Sequence, residues 1–266
     1  MKTKQDSMKK LNSVMLTAPL LIVLISGCAP CNYVDISKCL KEVYPGQPEG
    51  YLKNSDIPDS KKLLPPPPQP GSAALENDRE ISLKHLESDD SLRRNKAHID
   101  ANLDYPVSIN SFTGFLNLRI SVSTTPHLYI LLERVAADAS ASTYPAKIYY
   151  KRPRPFIVNN KPTCDPQSES YLRTSGSYPS GHSAIGWSWA LVLTELFPGQ
   201  ADEILQKGRE FGESRIVCNV HWNSDVDEGR FMGAATIAAL HANRNFQHDL
   251  KKSAGEVRRI KSKKVQ

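Results

Sequence analysis

Cleaving a phosphate ester requires cations for the equatorial oxygens, an in-line nucleophile and a proton donor for the leaving oxygen. Three short segments of this chain supply such groups at fixed spacing. Lys147 is followed seven residues on by Arg154-Pro155. Ser175 to His182 reads Ser-Gly-Ser-Tyr-Pro-Ser-Gly-His, and Ser214-Arg215 leads through His221 to Asp225. Lys147, Arg154 and Arg215 are candidate phosphate clamps, since a guanidinium fork holds two oxygens and an ammonium acts as a point charge. His221 and Asp225 are four residues apart, which places them on one face of a helical turn. The carboxylate can then accept the imidazole Nδ1–H, leaving Nε2 as nucleophile. His182 remains as the general acid.

The elements that must hold these groups read as helices. Pro179-Ser180-Gly181-His182 precedes an apolar run to Phe197. The N–H groups and dipole at the start of that helix would face an anion. Gly181 permits close approach of backbone, and the Ser180 hydroxyl can add a donor. Further helices are expected near 75–88, 91–102, 110–120, 126–140, 142–151, 201–217 and 225–243, with no long alternating β-branched run. Gly233, Ala234, Ala235, Ala238 and Ala239 would let a neighbouring helix come close to the last of these. The fold class that follows is an all-α, single-domain helical bundle.

Lys147-x6-Arg154-Pro155, Pro179-Ser180-Gly181-His182 and Ser214-Arg215-x5-His221-x3-Asp225 together resemble the three-part signature of the acid phosphatases related to type 2 phosphatidic acid phosphatases and vanadium haloperoxidases. Leu63-Leu64 with Pro65 to Pro68, Gly176 to His182 and His221 to Asp227 resemble, more closely, the bacterial class A nonspecific acid phosphatases. The resemblance spans roughly residues 50–245. It implies that His221 becomes phosphohistidine, that Asp225 holds it, and that His182 protonates the leaving alkoxide. It also implies that Lys147, Arg154, Ser180, Gly181 and Arg215 bind the phosphoryl oxygens. No metal or other cofactor is implied, and the expected activity is broad hydrolysis of phosphate monoesters, with a homo-oligomer as the expected assembly. An apyrase-like hydrolase of nucleoside di- and triphosphates or pyrophosphate stays open on the same site. So does a non-catalytic phosphate-binding lipoprotein. A serine hydrolase using Ser180 would leave three cations without a role. A metal hydrolase would take His182, His221 and Asp225 as ligands.

The rest of the chain bounds the setting. Val14 to Ile25 is apolar, follows Lys9 and Lys10, and ends Leu24-Ile25-Ser26-Gly27-Cys28. This is the layout of a secretory signal peptide. Its end resembles a bacterial lipoprotein lipobox, which implies cleavage after residue 27 and lipid on the Cys28 sulfur, the alternative being an ordinary signal peptide cut nearby with Cys28 a plain cysteine. The expected location is the periplasm, anchored to the outer membrane. Residues 28–72 read as a tether with a proline-rich strap, 73–250 as the helical domain, and 251–266 as a basic, poorly ordered tail. The formal charge of +6 is concentrated in the leader and that tail, which leaves residues 28–250 at −3. Nucleic-acid binding is therefore not expected. Lys151 and Arg152, off the clamp spacing, read as solvated. With Cys28 lipidated, Cys31, Cys39, Cys164 and Cys218 allow three connectivities, of which Cys31–Cys39 with Cys164–Cys218 is one.

Overall fold

An apolar helix with a polar start lies at the centre of the molecule. Gly181–Leu196 buries Ala184, Ile185, Trp189, Val192 and Leu193, and few of its positions are polar enough to face water. Three partner helices surround it: Pro126–Tyr150, Ala201–Val217 and Asn223–His241. The computed structural model describes residues 42–44 and 47–264, all within one unit spanning 32–266. In chain order its helices are α1 Ser60–Leu63, α2 Ala73–Leu86, α3 Ser91–Ala101, α4 Val107–Phe112, α5 Pro126–Tyr150, α6 Pro155–Val158, α7 Glu169–Leu172, α8 Gly181–Leu196, α9 Ala201–Val217, α10 Asn223–His241 and α11 Arg244–Lys264. Two short antiparallel strands, Glu42–Tyr44 and Gln47–Pro48, precede them. The all-α bundle expected from the sequence is the architecture observed. The leader, Cys28 and the Cys31/Cys39 pair lie outside the described residues. None of the described helices is long and apolar enough to cross a membrane.

Three local expectations change. The segments 126–140 and 142–151 are one helix, α5, with Pro145 inside it. An internal proline removes one ladder hydrogen bond and crowds the preceding turn. Burial of Leu128, Leu131, Leu132, Val135, Ala139 and Ala146 along α5 outweighs that cost. The expected helix 110–120 is instead α4 plus a 3-10 turn, Gly114–Leu116, closed by Asn117 in the left-handed region. The third change concerns the basic tail, which is not poorly ordered up to Lys264. Phe246, Leu250 and Val257 recur at helical spacing and turn toward the core. Glu256 then accepts the Leu128 amide at 3.0 Å, satisfying one of the N–H groups left over at the start of α5.

Residues 50–72 form a strap packed on the bundle. The Tyr51 amide donates to Asp138 Oδ2 at 2.7 Å and the Tyr51 hydroxyl to Asp249 at 2.8 Å. Further along, the Tyr178 hydroxyl donates to the Pro65 carbonyl at 2.8 Å, and Leu64 is buried beside Ala146, Tyr178 and Met232. Glycines set the closest helix approach. A Cβ on Gly229 of α10 would sit 2.5 Å from the Ser180 carbonyl oxygen, and one on Gly233 would sit 2.6 Å from that of Ala184. This contact draws the start of α10 against the start of α8. A disulfide between Cys164 and Cys218 ties the loop before α7 to the end of α9.

Candidate active site

Helix ends converge on a cavity of about 170 Å³ lined by Lys147, Arg154, Gly181, His182, Arg215 and His221, among others. Lys147 comes from the last turn of α5 and Arg215 from the last turn of α9. Gly181 and His182 open α8, and His221 lies just before α10. Arg154 stands at the N-cap of α6 in extended backbone, as the following proline requires. The three segments singled out in the sequence therefore meet in space.

His221 and Asp225 pair as their spacing predicts. His221 Nδ1 lies 3.2 Å from Asp225 Oδ2, and both residues are buried. On the other side, His221 Nε2 lies 3.0 Å from Arg154 Nη1. A guanidinium nitrogen can only donate, so Nε2 holds the lone pair and Nδ1 the proton. Arg154 also donates to the carbonyls of Leu172, Ser175, Val220 and Gly176, which fixes its plane. Lys147 Nζ donates to the Gly176 and Ser177 carbonyls at 3.2 and 3.3 Å. Those carbonyls come near because Gly176 has no side chain: a Cβ there would lie 2.5 Å from the Lys147 carbonyl oxygen.

Arg215 differs from the other two cations. It is 3% exposed, yet its Nε and Nη1 have no hydrogen-bond partner among the described residues. Buried donors without acceptors cost on the order of 1–3 kcal/mol each, so they point to an absent anion. Electrostatics agrees. Burial, and then the neighbouring Arg154, lower Lys147 to about 7. Burial also brings Arg154 and Arg215 down to about 10. His221 is held well below its ordinary range by burial, then by Arg154, Lys147 and Arg215, and His182 by burial and then Arg215. Three buried cations thus crowd one another at the cavity.

Ser180 is fully buried and is not part of the cavity wall. Its hydroxyl oxygen caps α8 by accepting the Ser183 amide at 3.3 Å, and its own amide donates to the Asp225 carbonyl at 2.8 Å. Gly181 and His182 line the cavity from the first turn of α8. His182 Nε2 lies 3.0 Å from the Ala101 carbonyl oxygen, which can only accept, so Nε2 carries a proton and Nδ1 is the exchangeable nitrogen.

Arg152, read from the sequence as solvated, is 7% exposed and bridges Asp225 and Asp78. A signal for it exists in Arg152-Pro153-Arg154-Pro155. Each arginine precedes a proline and is biased to extended backbone, which aligns side chains two residues apart. No sequence signal points to Asp78.

Residues 127–249 match the PAP2 superfamily. A non-specific acid phosphatase of Providencia stuartii is 40% identical over 212 residues, covering 79% of this chain and 86% of that protein. The non-specific acid phosphatase of Salmonella typhimurium is 38% identical over 200 residues, covering 75% and 80%. Among solved structures, a bacterial vanadium-dependent iodoperoxidase aligns at a TM-score of 0.48 and 18% identity, over 78% of this chain and 63% of that one. The chain belongs to the PAP2 superfamily and, within it, to the non-specific acid phosphatases.

Proposed function

We propose that this acid phosphatase hydrolyses phosphate monoesters through a phosphohistidine at His221, without a metal ion and over a broad range of leaving groups. The observation that carries the reading is the lone pair of His221 Nε2 at a cavity where Arg215 keeps two unpartnered guanidinium nitrogens. The phosphoryl oxygens are taken by Arg154, Arg215, Lys147 and the amides of Gly181 and His182. His221 Nε2 attacks phosphorus, the ester P–O bond breaks, and His182 Nδ1–H passes its proton to the leaving oxygen. A water molecule then gives a proton back to His182 and its oxygen attacks phosphorus. Inorganic phosphate leaves and His221 is restored. His182 must be protonated to begin, although burial and Arg215 hold it neutral in the empty site. A bound phosphate dianion offsets Arg215 and raises its proton affinity, so substrate itself prepares the acid.

The rival chemistries fit less well. A serine nucleophile needs access to the cavity and a base for its proton, whereas Ser180 is fully buried and is not among the residues lining the cavity. His182, His221 and Asp225 do not converge as metal ligands, because Asp225 Oδ2 faces His221 Nδ1 and the Trp222 amide while His182 Nε2 faces Ala101. The test is His221→Ala against an aryl phosphate in the presence of chelator. Turnover should fall by roughly four powers of ten while the wild type is untouched by chelator. Quenching His182→Ala during turnover of a labelled ester should leave label on His221. Residual activity within tenfold of wild type, or label on a serine, refutes the scheme.

A further inference from the structure

The carboxylate that orients the nucleophile is itself gripped from behind. Asp225 is fully buried. Its Oδ2 faces His221 Nδ1 and accepts the Trp222 amide at 2.9 Å, while Oδ1 accepts Arg152 Nη1 at 2.7 Å. The second arm of the same guanidinium, Nη2, donates to Asp78 Oδ2 at 2.7 Å. Asp78, at 1% exposure on α2, also accepts the Ser224 amide at 2.8 Å and the Ser224 hydroxyl at 2.6 Å. The Ser224 hydroxyl in turn accepts Arg152 Nη1 at 2.8 Å. None of Asp78, Arg152 and Ser224 lines the cavity.

We propose that Arg152, anchored by Asp78, is a positioning residue for phosphoryl transfer, which fixes the orientation and the charge of Asp225 behind His221. The proposal rests on His221 as nucleophile. Three physical points support it. A fully buried carboxylate beside a neutral imidazole needs a charged partner, and Arg152 is the cation that hydrogen-bonds it. A lone cation there would add to the excess positive charge of Lys147, Arg154 and Arg215, and Asp78 cancels it. The planar fork reaches the two carboxylates with separate nitrogens held in one fixed plane, a geometry that a lysine's single ammonium does not reproduce. The consequence is directional. Charge drawn from Asp225 toward Arg152 leaves less to stabilise a protonated His221, so the imidazole stays neutral and nucleophilic in acid. Lys147 from α5, Arg154 at α6, His182 from α8 and Arg215 from α9 face His221 as well, and all of them are unchanged in the variants below.

The experiment compares Arg152→Gln, Arg152→Lys and wild type by steady-state kinetics on an aryl phosphate from pH 4 to 8. It adds NMR titration of the His221 imidazole without substrate. Arg152→Gln should lose roughly ten- to a hundredfold in kcat, as removal of an outer partner does at other sites. Its KM should change less than about threefold, because Arg152 does not touch phosphate. The acid limb of kcat/KM and the His221 titration should both move to higher pH. Arg152→Lys should recover part of kcat and show a smaller displacement. If Arg152→Gln does not fold, the direction of displacement in Arg152→Lys decides. A folded variant with wild-type kcat and an unmoved His221 titration overturns the proposal and leaves Arg152 as a strut between α2 and α10. The titration needs no turnover, so its result is separate from a failure of the phosphatase reading, which would appear as a wild type that releases no phosphate.

Discussion

At the scale of single residues, the site is arranged so that neutral bases and crowded cations await an anion. Lys147 is the titrating member of the clamp, with its ammonium brought down to about 7 by burial and by Arg154. A lysine depressed in this way is charged below that pH and neutral above it. Anion binding should therefore weaken as pH rises through about 7, and each anion bound near that pH should take up a fraction of a proton. Sulfate is a suitable probe because it does not itself titrate in this range. Its inhibition constant for wild type should rise by roughly tenfold between pH 6 and 8, since one clamp charge is lost. Lys147→Arg should flatten that rise, because a guanidinium stays charged. An equally steep rise in Lys147→Arg assigns the titration to another group.

At the scale of elements, the candidate site is held together by the close approach of the starts of α8 and α10. Gly229 makes the contact possible, with the Ser180 carbonyl oxygen and the Ser183 side chain where a Cβ would project. Gly229→Ala should cost about 1–3 kcal/mol in urea unfolding, because the Cβ must push the helices apart. It should lower kcat as well, since the same shift separates His221 and Asp225 on the α10 side from His182 on α8. Gly199→Ala, where a Cβ meets nothing within 4 Å, is the control and should leave both unchanged. A folded Gly229→Ala with wild-type stability would show that the helices can relax at no cost. Element boundaries also show where pattern reading gives way to packing. The pattern reads as two helices, 126–140 and 142–151, yet α5 is continuous because it is buried on both sides of that junction.

At the scale of the whole molecule, the strap before α2 and helix α11 act as fastenings. Strap residues Tyr51 and Leu52 donate their amides to Asp138, and α11 supplies Glu256 to α5 and Asp249 to Tyr51. Burial raises Asp138 to about 6 against these amide donors. A carboxyl raised on folding contributes stability that is fully present below its unfolded value of about 3.9 and is lost as pH rises through about 6. Asp138→Asn should therefore remove a decline on the order of 2 kcal/mol between pH 4 and 6, relative to wild type, in urea unfolding. An identical pH slope in the two proteins would show that Asp138 titrates as it does in water. Buried His182 and His221, both depressed, act in the opposite sense in wild type and variant alike and cancel in the comparison.

The sequence by itself marked the candidate site wherever a local spacing sets the geometry. His221 and Asp225 pair because four residues make one helical turn, and Arg154 is extended because Pro155 follows it. Apolar periodicity likewise marked α8, α9 and α10, since each buries one face against a neighbour. What only the tertiary structure decided are the partnerships between residues far apart in the chain. Asp78 meets Arg152 across 74 positions and Glu256 meets Leu128 across 128, with no spacing to mark either. Ser180 became a helix cap and Arg152 a buried bridge for the same reason. A charge or hydroxyl looks alike in sequence whether water or a buried partner satisfies it, and only the fold decides which.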